Sequence, residues 1–380
     1  MEKYSDYRDP GTGLQPFIPL IPPPLSLVGK LTIWLTFLVG LVRTILVFAI
    51  FLVHLILVHV VSILFIPIPP LHRFVTHFFV ALTARLSLAV LGVLWVSVDP
   101  VTRKRGRGVK STETWKPKAG DIIVSNWVSW VEILWLAFRF NPIFVLPVAE
   151  SSPSPATTAP ASETVSHTPG RRTGTGSANI AMAKRGISTR IPILGFRQVS
   201  LLSALRSTGY TPPFGNAKAG ESHQSLEELR KRADRPIVIF PECTTSNGRA
   251  LLRFANVFQQ QIPVRGFSVF VMCVRYDPPT EFAATLAHSI PTAFNPLSHV
   301  FRAAASLAPQ TVSIRLLAPS ESPSSQLFLA SEVLTDASGP DQLADACAAL
   351  IAQLGKLKRT GLGWEDKASF LQLFRQKEKR

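Results

Sequence analysis

The chain has 380 residues, a hydrophobic fraction of 47% and a formal net charge of +16, with a mean hydropathy of +0.24. This hydropathy is high for a purely soluble protein, so we expect one sizeable domain with a membrane anchor. The charge fits anionic lipid or phosphorylated ligands, but no zinc-ligand spacing, RNA-binding signature or basic recognition helix supports nucleic acid as a partner. Three scattered cysteines argue against a disulfide framework and favour a reducing compartment.

The N-terminal quarter predicts an arm followed by a membrane anchor. Residues 1–30 are polar and then proline-rich, which is typical of an irregular arm. Residues 31–98 form the predicted anchoring segment. Its first part, Leu31–Pro67, is almost wholly apolar and is interpreted as one long tilted span or as a tight hairpin. Its second part, Phe78–Val98 with Arg85 near the middle, is interpreted as a span, a re-entrant segment or a buried amphipathic helix.

A basic cluster follows these apolar segments, at residues 103–110. Because basic residues flanking a membrane segment mark its cytosolic side, the domain formed by residues 99–380 is predicted to face the cytosol. The same cluster can attract anionic lipid headgroups. Within the domain, residues 151–178 are dominated by Ser, Thr, Pro, Ala and Gly, which predicts a disordered insertion.

Apolar runs bounded by turn residues predict five strands in this domain. Helical spacing predicts helices between and after them, among them 129–140, 342–357 and 361–374. The alternation predicts an α/β fold, a mixed sheet with flanking helices, preceded by N-terminal membrane-embedded helices. The predicted strands are 121–125, 143–148, 236–240, 266–276 and 311–318.

A polar cluster follows the strand at 236–240. It contains a carboxylate, three hydroxyls, an Asn-Gly turn and a guanidinium group. At the carboxyl end of a strand, this set suits an anionic, hydroxyl-bearing ligand such as a phosphate compound. The predicted substrate-binding residues here are Glu242, Thr244, Thr245, Ser246, Asn247, Gly248 and Arg249.

The segment Phe240–Gly248, FPECTTSNG, resembles the Phe-Pro-Glu-Gly-Thr block of the glycerolipid acyltransferase family. Its Thr-Ser-Asn-Gly ending is closest to the members that reacylate lysophospholipids. Phe267–Tyr276 is similar to the family's next strand, which ends in Arg-Tyr. The family's glycine is Cys243 in this chain, and the arginine of its best-known variant is Thr245.

A second resemblance lies at Asn126–Glu132, which fits the frame of the family's Asn-His-x-x-x-x-Asp signature. In the family, the histidine takes the proton from the acceptor hydroxyl as it attacks the acyl-CoA thioester. The resemblance therefore places Trp127 and Glu132 at the catalytic positions and Asn126 beside the substrate. Trp127 has no basic nitrogen, so Glu132 is either the replacement base or only a capping residue paired with Ser129, with Trp127 as packing.

The resemblance implies an acyl-CoA-dependent enzyme that transfers a fatty acyl group to a lysophospholipid, above all lysophosphatidic acid, in glycerolipid synthesis or remodelling. Acyl-CoA is then the co-substrate, and no metal or other cofactor is implied. The expected location is the endoplasmic reticulum membrane or the lipid droplet. The alternative function is that of a catalytically impaired acyltransferase-fold protein that binds lipid or acts as a scaffold.

Overall fold

The computed structural model describes residues 4–103, 113–150, 189–214, 223–326, 328–334 and 339–378. The predicted insertion at 151–178 and the basic cluster after Arg103 lie outside these residues. The helices are α1 (Leu27–Leu31), α2 (Ile33–His59), α3 (Pro69–Val90), α4 (Val131–Phe140), α5 (Leu201–Ser207), α6 (Leu226–Arg232), α7 (Leu297–Ala304), α8 (Gln342–Gly355) and α9 (Trp364–Glu378). The strands are β1 (Val96–Val101), β2 (Ile122–Ser125), β3 (Ile143–Ala149), β4 (Ile193–Val199), β5 (Ile237–Ile239), β6 (Ala250–Leu251), β7 (Val269–Tyr276), β8 (Val312–Leu317) and β9 (Lys358–Arg359).

Seven strands form one mixed sheet in the order β1-β8-β7-β2-β5-β3-β4. Its centre is parallel, because β2 pairs in parallel with both β5 and β7, and β5 pairs in parallel with β3. The outer strand β4 is antiparallel to β3, and β7 is antiparallel to β8. All five predicted strands are confirmed, and so is the α/β class with a mixed sheet and flanking helices.

Both faces of the sheet are covered, which explains why its central strands are continuous apolar runs. Successive residues of a strand point to opposite faces. Ile123 and Val238 therefore join a core with α3, α4 and α7. Their neighbours Ile122 and Ile237 join a second core with α8 and with Trp364 of α9.

Helices α2 and α3 are long and apolar enough to cross a membrane by length and composition. Both also contact the α/β domain. Arg43 of α2 donates to the carbonyl oxygens of Ala304 and Ser306, at 3.2 and 2.8 Å. Leu88 of α3 is fully buried in the core. The helix hairpin is therefore one layer of the folded domain, and its outer side is apolar and exposed.

The structure corrects two predicted boundaries. The stretch from Val96 to Val98, predicted within the anchoring segment, begins β1 and pairs with β8. The helix predicted to start at Ser129 starts at Val131. The Ser129 hydroxyl accepts from the Val131 N–H instead of forming a complete capping box with Glu132.

The N-terminal arm is largely irregular, as its proline content predicts, because residues 8–26 contain no helix or strand. It is nevertheless packed on the domain. Phe17 is 1% exposed and lies against Phe370 of α9, with ring centroids 5.7 Å apart. Tyr7 also contacts the Phe370 ring, edge-on at 5.2 Å. This packing brings the arm to the residues described next.

Candidate functional site

The two sequence blocks that resemble the acyltransferase family, Asn126–Glu132 and Phe240–Gly248, meet at one edge of the sheet. Strands β5, β2 and β7 are neighbours and run in parallel, so their carboxyl ends lie side by side. Asn126 follows β2, Glu242 follows β5, and Tyr276 ends β7. Residues more than a hundred positions apart in the chain are thereby brought into hydrogen-bonding distance.

Asn126 is buried and joins two strands. Its side-chain N–H donates to the Val274 carbonyl at 2.9 Å, and its Oδ1 accepts from the Val274 N–H at 2.7 Å. The amide therefore extends the pairing of β2 with β7 past the last residue of β2. Both of these side-chain groups are engaged with the protein backbone.

Glu132 is fully buried at the start of α4. One carboxyl oxygen accepts from the N–H groups of Val128 and Ser129, both at 2.6 Å. The other is in a short hydrogen bond with the Tyr276 hydroxyl. Burial raises the pKa of Glu132 to about 7, although these hydrogen bonds lower it.

Glu242 is also fully buried, and it connects the two sequence blocks. One of its oxygens accepts from the Trp127 N–H at 2.6 Å, and the other accepts from the Leu252 N–H at 2.8 Å. Burial raises the pKa of Glu242 to about 8. The two backbone donors and Lys367 lower it, while Glu132 raises it further.

The ring of Trp127 is part of the core. It is 1% exposed and stacks on Phe240 with centroids 4.9 Å apart. Phe214 lies on the same ring at 6.1 Å. The indole N–H donates to the Ser129 carbonyl at 3.1 Å. These contacts agree with packing as the role of Trp127. The indole itself has no proton-accepting atom.

The hydroxyl groups of the block Phe240–Gly248 point into the protein. Thr244 Oγ1 donates to the Tyr210 carbonyl at 2.7 Å, and Thr245 Oγ1 donates to the His288 carbonyl at 2.6 Å. Ser246 is 1% exposed, and its hydroxyl bonds the Ala250 carbonyl at 3.4 Å. The three hydroxyls therefore hold neighbouring backbone segments in place.

The last three residues of the predicted substrate-binding set lie towards the arm and the surface. The Asn247 side chain donates to the carbonyl oxygens of Gln15 and Ile18, both at 2.8 Å. Gly248 has a φ of 76°, a conformation that favours glycine. The Arg249 side chain is exposed, so it lies apart from the buried members of the predicted set.

Lys367 of α9 belongs to this cluster, although the sequence analysis missed it. It is fully buried, and its ammonium group donates to Thr244 Oγ1 at 2.8 Å and to the Thr245 carbonyl at 2.6 Å. Burial holds the pKa of Lys367 well below its usual range, while Glu242 raises it. Helical spacing could have indicated that Lys367 is buried, because it lies on the same helix face as the buried Trp364 and Phe370.

A cavity of about 1040 Å³ lies next to this cluster. Its wall comes from the arm, the start of α2, the segment 279–293, α7 and the end of α9. The lining is mainly apolar, and its charged residues are two exposed arginines, Arg302 and Arg375, and one carboxylate, Glu281. Apolar lining residues include Leu20, Ile33, Phe282, Ile290, Phe301 and Phe374.

The two sequence blocks support one wall of this cavity by hydrogen bonds to its backbone. His288 lines the cavity, and its backbone N–H donates to the Val128 carbonyl at 2.9 Å. Its carbonyl accepts from Thr245 Oγ1. Tyr210, a second lining residue, accepts from Thr244 Oγ1. The residues named from the sequence thus support the wall, while other residues form its surface.

His288 and His299 are the two imidazoles that line the cavity among the described residues. Their ring centroids are 4.6 Å apart. Burial lowers the pKa of His288 to about 4 and that of His299 to about 3. Both rings are therefore neutral near pH 7. Across the described ranges, no group of three or more His, Cys, Asp or Glu side chains is arranged to hold a metal ion.

Comparison with known proteins yielded no matching family model, no matching curated protein and no matching solved structure.

Proposed function

We propose that this protein is a membrane-bound acyltransferase that moves a fatty acyl group from acyl-CoA to the hydroxyl of a lysophospholipid, with lysophosphatidic acid as the first substrate to test. The observation that carries the proposal is the cavity bordered by α2. Its wall is hydrogen-bonded to both sequence blocks through Val128, Thr244 and Thr245. The acyltransferase-like residues and a space for lipid are therefore parts of one structure.

The dimensions and lining of the cavity suit a single-chain lipid. Ligand pockets commonly enclose about 300–1000 Å³ and are mostly apolar with a few polar groups. The volume of this cavity, about 1040 Å³, is just above that range. An acyl chain fits the apolar wall, and the exposed guanidinium groups of Arg302 and Arg375 can pair with a phosphate group.

The position of the cavity favours a substrate that comes from a membrane. The start of α2 contributes Ile33 and Thr36 to the lining. Exposed apolar side chains on the same helix include Trp34 and Phe37. A lysolipid in a leaflet that contacts α2 would reach the cavity without its acyl chain passing through water, which avoids the cost of exposing that chain.

The direct test is acyl transfer by the purified full chain in lipid nanodiscs, with radiolabelled oleoyl-CoA and a panel of lysophospholipids. Wild type should form the diacyl product, and A283W, which places an indole in the cavity lining, should lose at least tenfold in rate. The control L329W adds a ring at an exposed position outside the lining. No product from wild type with any lysophospholipid would contradict the enzyme proposal.

A second candidate function, lipid binding without turnover, is favoured by Trp127. This residue occupies the position at which the resembled family carries its base, and its ring is stacked in the core. Under this alternative, wild type binds lysolipid in the cavity, A283W binds it more weakly, and neither forms product. Measuring binding of a fluorescent lysophospholipid beside turnover separates the two functions.

A further inference from the structure

The proposed reaction needs a proton acceptor inside the cavity, and Trp127 does not supply one. We propose that His288, held by Asn295, is the general base that takes the proton from the lysophospholipid hydroxyl. This inference rests on the proposed acyltransferase function and adds a catalytic residue that lies outside both sequence blocks. It follows from the position of His288 in the cavity wall and from the hydrogen bonds around it.

Asn295 fixes which nitrogen of His288 carries the proton. The Asn295 side-chain NH₂ donates to the carbonyl oxygens of Arg206 and Thr208, at 2.8 and 2.7 Å. Its oxygen therefore faces His288 and accepts from Nε2–H at 2.6 Å. In the neutral ring Nδ1 then holds a free electron pair. No hydrogen bond to this Nδ1 is present among the described residues.

The other titratable groups nearby are already engaged. Glu281, the carboxylate in the lining, accepts from the N–H and the hydroxyl of Ser26. His299 Nδ1 accepts from the Trp130 indole at 2.9 Å, so in the neutral ring the proton is on Nε2 and Nδ1 has no free electron pair. Glu132 and Glu242 accept backbone N–H groups and are not among the described lining residues. The ammonium of Lys367 donates to Thr244 and Thr245.

The environment keeps His288 in the proton-accepting form. Burial is the main cause of its lowered pKa, and the charges of Lys367 and Arg302 lower it further, whereas Asn295 raises it. A substrate phosphate at Arg302 would offset that positive charge and make Nδ1 more basic. Ser289, the next lining residue, has a buried hydroxyl without a hydrogen-bond partner in the described part of the chain, which leaves it free to bond a polar ligand.

The reaction balances with the two substrates alone. The lysophospholipid oxygen attacks the thioester carbonyl while its proton moves to His288 Nδ1. The new C–O bond forms, the C–S bond breaks, and the proton passes from the imidazolium to the departing CoA thiolate. The ring is neutral again at the end, and no oxidant or metal takes part.

The experiment compares H288Q with the control H223Q, which makes the same change at an exposed imidazole outside the cavity lining. Both are assayed in nanodiscs for turnover and for binding of fluorescent lysophosphatidic acid. H288Q should lower kcat by about 10²–10⁴-fold, the usual contribution of a general base, with binding within threefold of wild type. H223Q should keep its turnover within threefold of wild type. Added imidazole should restore part of the rate in H288A.

The outcomes are distinct. An active wild type with H288Q within threefold of its kcat would overturn the role of His288 and leave the proposed function standing. A loss of turnover in H288Q that comes with an equal loss of lysophosphatidic acid binding would assign the effect to packing of the wall and would also overturn it. An inactive wild type would remove both proposals. If H288Q does not fold, H288N, which keeps a donor for Asn295, provides the same comparison.

Discussion

Glu132 and Glu242 are both fully buried, but their oxygens meet different partners. The Glu242 oxygens each accept a backbone N–H, from Trp127 and Leu252. In Glu132 one oxygen accepts two backbone N–H groups, and the other meets a hydroxyl, that of Tyr276. A hydroxyl can donate or accept, whereas a backbone N–H can only donate. The two positions should therefore respond differently to the same substitution.

The first prediction compares E242Q with E132Q. In E242Q the side-chain NH₂ must face a backbone N–H. Above pH 8, where Glu242 is ionised, we therefore expect a loss of about 1–3 kcal/mol in the free energy of unfolding, as for an unsatisfied buried donor. In E132Q the NH₂ can donate to the Tyr276 hydroxyl, so the loss should be smaller. Denaturant unfolding of both variants in the same detergent measures the difference. A larger loss in E132Q would contradict this hydrogen-bond assignment.

The second prediction concerns pH. Burial raises the pKa of Glu132 from 4.5 to about 7, so the folded protein binds this proton more tightly than the unfolded chain. The associated stability is present below pH 4.5 and is lost as the pH rises towards 7, by on the order of 3 kcal/mol. E132Q should therefore show a flatter decline of unfolding free energy between pH 4.5 and 7. An unchanged slope would refute the raised pKa.

The third prediction concerns Trp127→His, which restores the residue of the resembled family. Because the Trp127 ring packs on Phe240 and Phe214, a smaller ring leaves a void that should cost about 2–4 kcal/mol in unfolding free energy. Trp127 is absent from the described cavity lining, so acyl transfer should not rise. A rate gain of tenfold or more would transfer the role of base from His288 to this position.

At the residue scale, the sequence predicted what lies close along the chain. Glu242 and the hydroxyls beyond it were identifiable because they follow a buried strand, and they are indeed clustered. Lys367 and His288 were not identified, because their roles depend on α9 and the segment 279–293 folding back over β2 and β5. Such contacts join residues that are far apart in the chain, so the local sequence pattern does not predict them.

At the element scale, the two strands of the seven-stranded sheet that were missed are at its edges. The short strands β6 and β9, which pair with each other in a separate sheet, were missed as well. The missed strand β1 contains Asp99 and Pro100 and is partly exposed. The other, β4, alternates buried and exposed residues around Gly195. Central strands are apolar throughout because both faces are buried, whereas edge strands tolerate charge and proline. The apolar-run criterion therefore found the centre of the sheet and missed its two ends.

The N-terminal arm is an element held by a few specific groups. Asn247 fixes it through two side-chain donors to Gln15 and Ile18 and through its own N–H, which donates to Pro16 at 2.8 Å. Because Pro19 and Leu20 of the arm line the cavity, this attachment also forms part of the cavity wall.

The fourth prediction is that N247D releases the arm. Asp places a carboxylate against two carbonyl oxygens and removes both donors, which should cost about 1–3 kcal/mol of local stability. Hydrogen exchange of residues 14–18 should accelerate, and cavity binding of fluorescent lysolipid should weaken. The control N256D makes the same chemical change where the oxygen accepts from Arg190. Equal exchange of residues 14–18 in N247D and wild type would show that Asn247 does not hold the arm.

At the scale of the whole molecule, the helix hairpin lies along the domain instead of projecting from it. Near the start of α2, Gly40 packs against Ala305, and near its end Val58 packs against the core. Close to the start of α3, Arg73 pairs with Asp234 of the α/β domain at 3.6 Å. Both ends of each helix are therefore next to the domain, and the apolar outer face of the hairpin is exposed.

For the membrane-bound protein that we propose, this arrangement favours a hairpin seated in one leaflet over two complete spans. A spanning hairpin would place the turn between α2 and α3 beyond a hydrocarbon core about 30 Å thick. Arg73 and Asp234 are close to that turn, and their side chains are 61% and 39% exposed. Two partly exposed charges are costly in hydrocarbon, so we infer that this end of the hairpin lies at the same water interface as the domain.

The fifth prediction tests this topology by cysteine labelling in sealed vesicles. The three native cysteines are free and buried, so an impermeant maleimide should report introduced thiols with low background. D99C in β1 marks the side of the domain. R73C should react from that same side, because we infer that Arg73 lies at the water interface of the domain. Losing its exposed ion pair costs only about 0–1 kcal/mol, so the variant should keep the fold. Reaction of R73C only after permeabilisation, with D99C labelled beforehand, would show that the hairpin crosses the membrane.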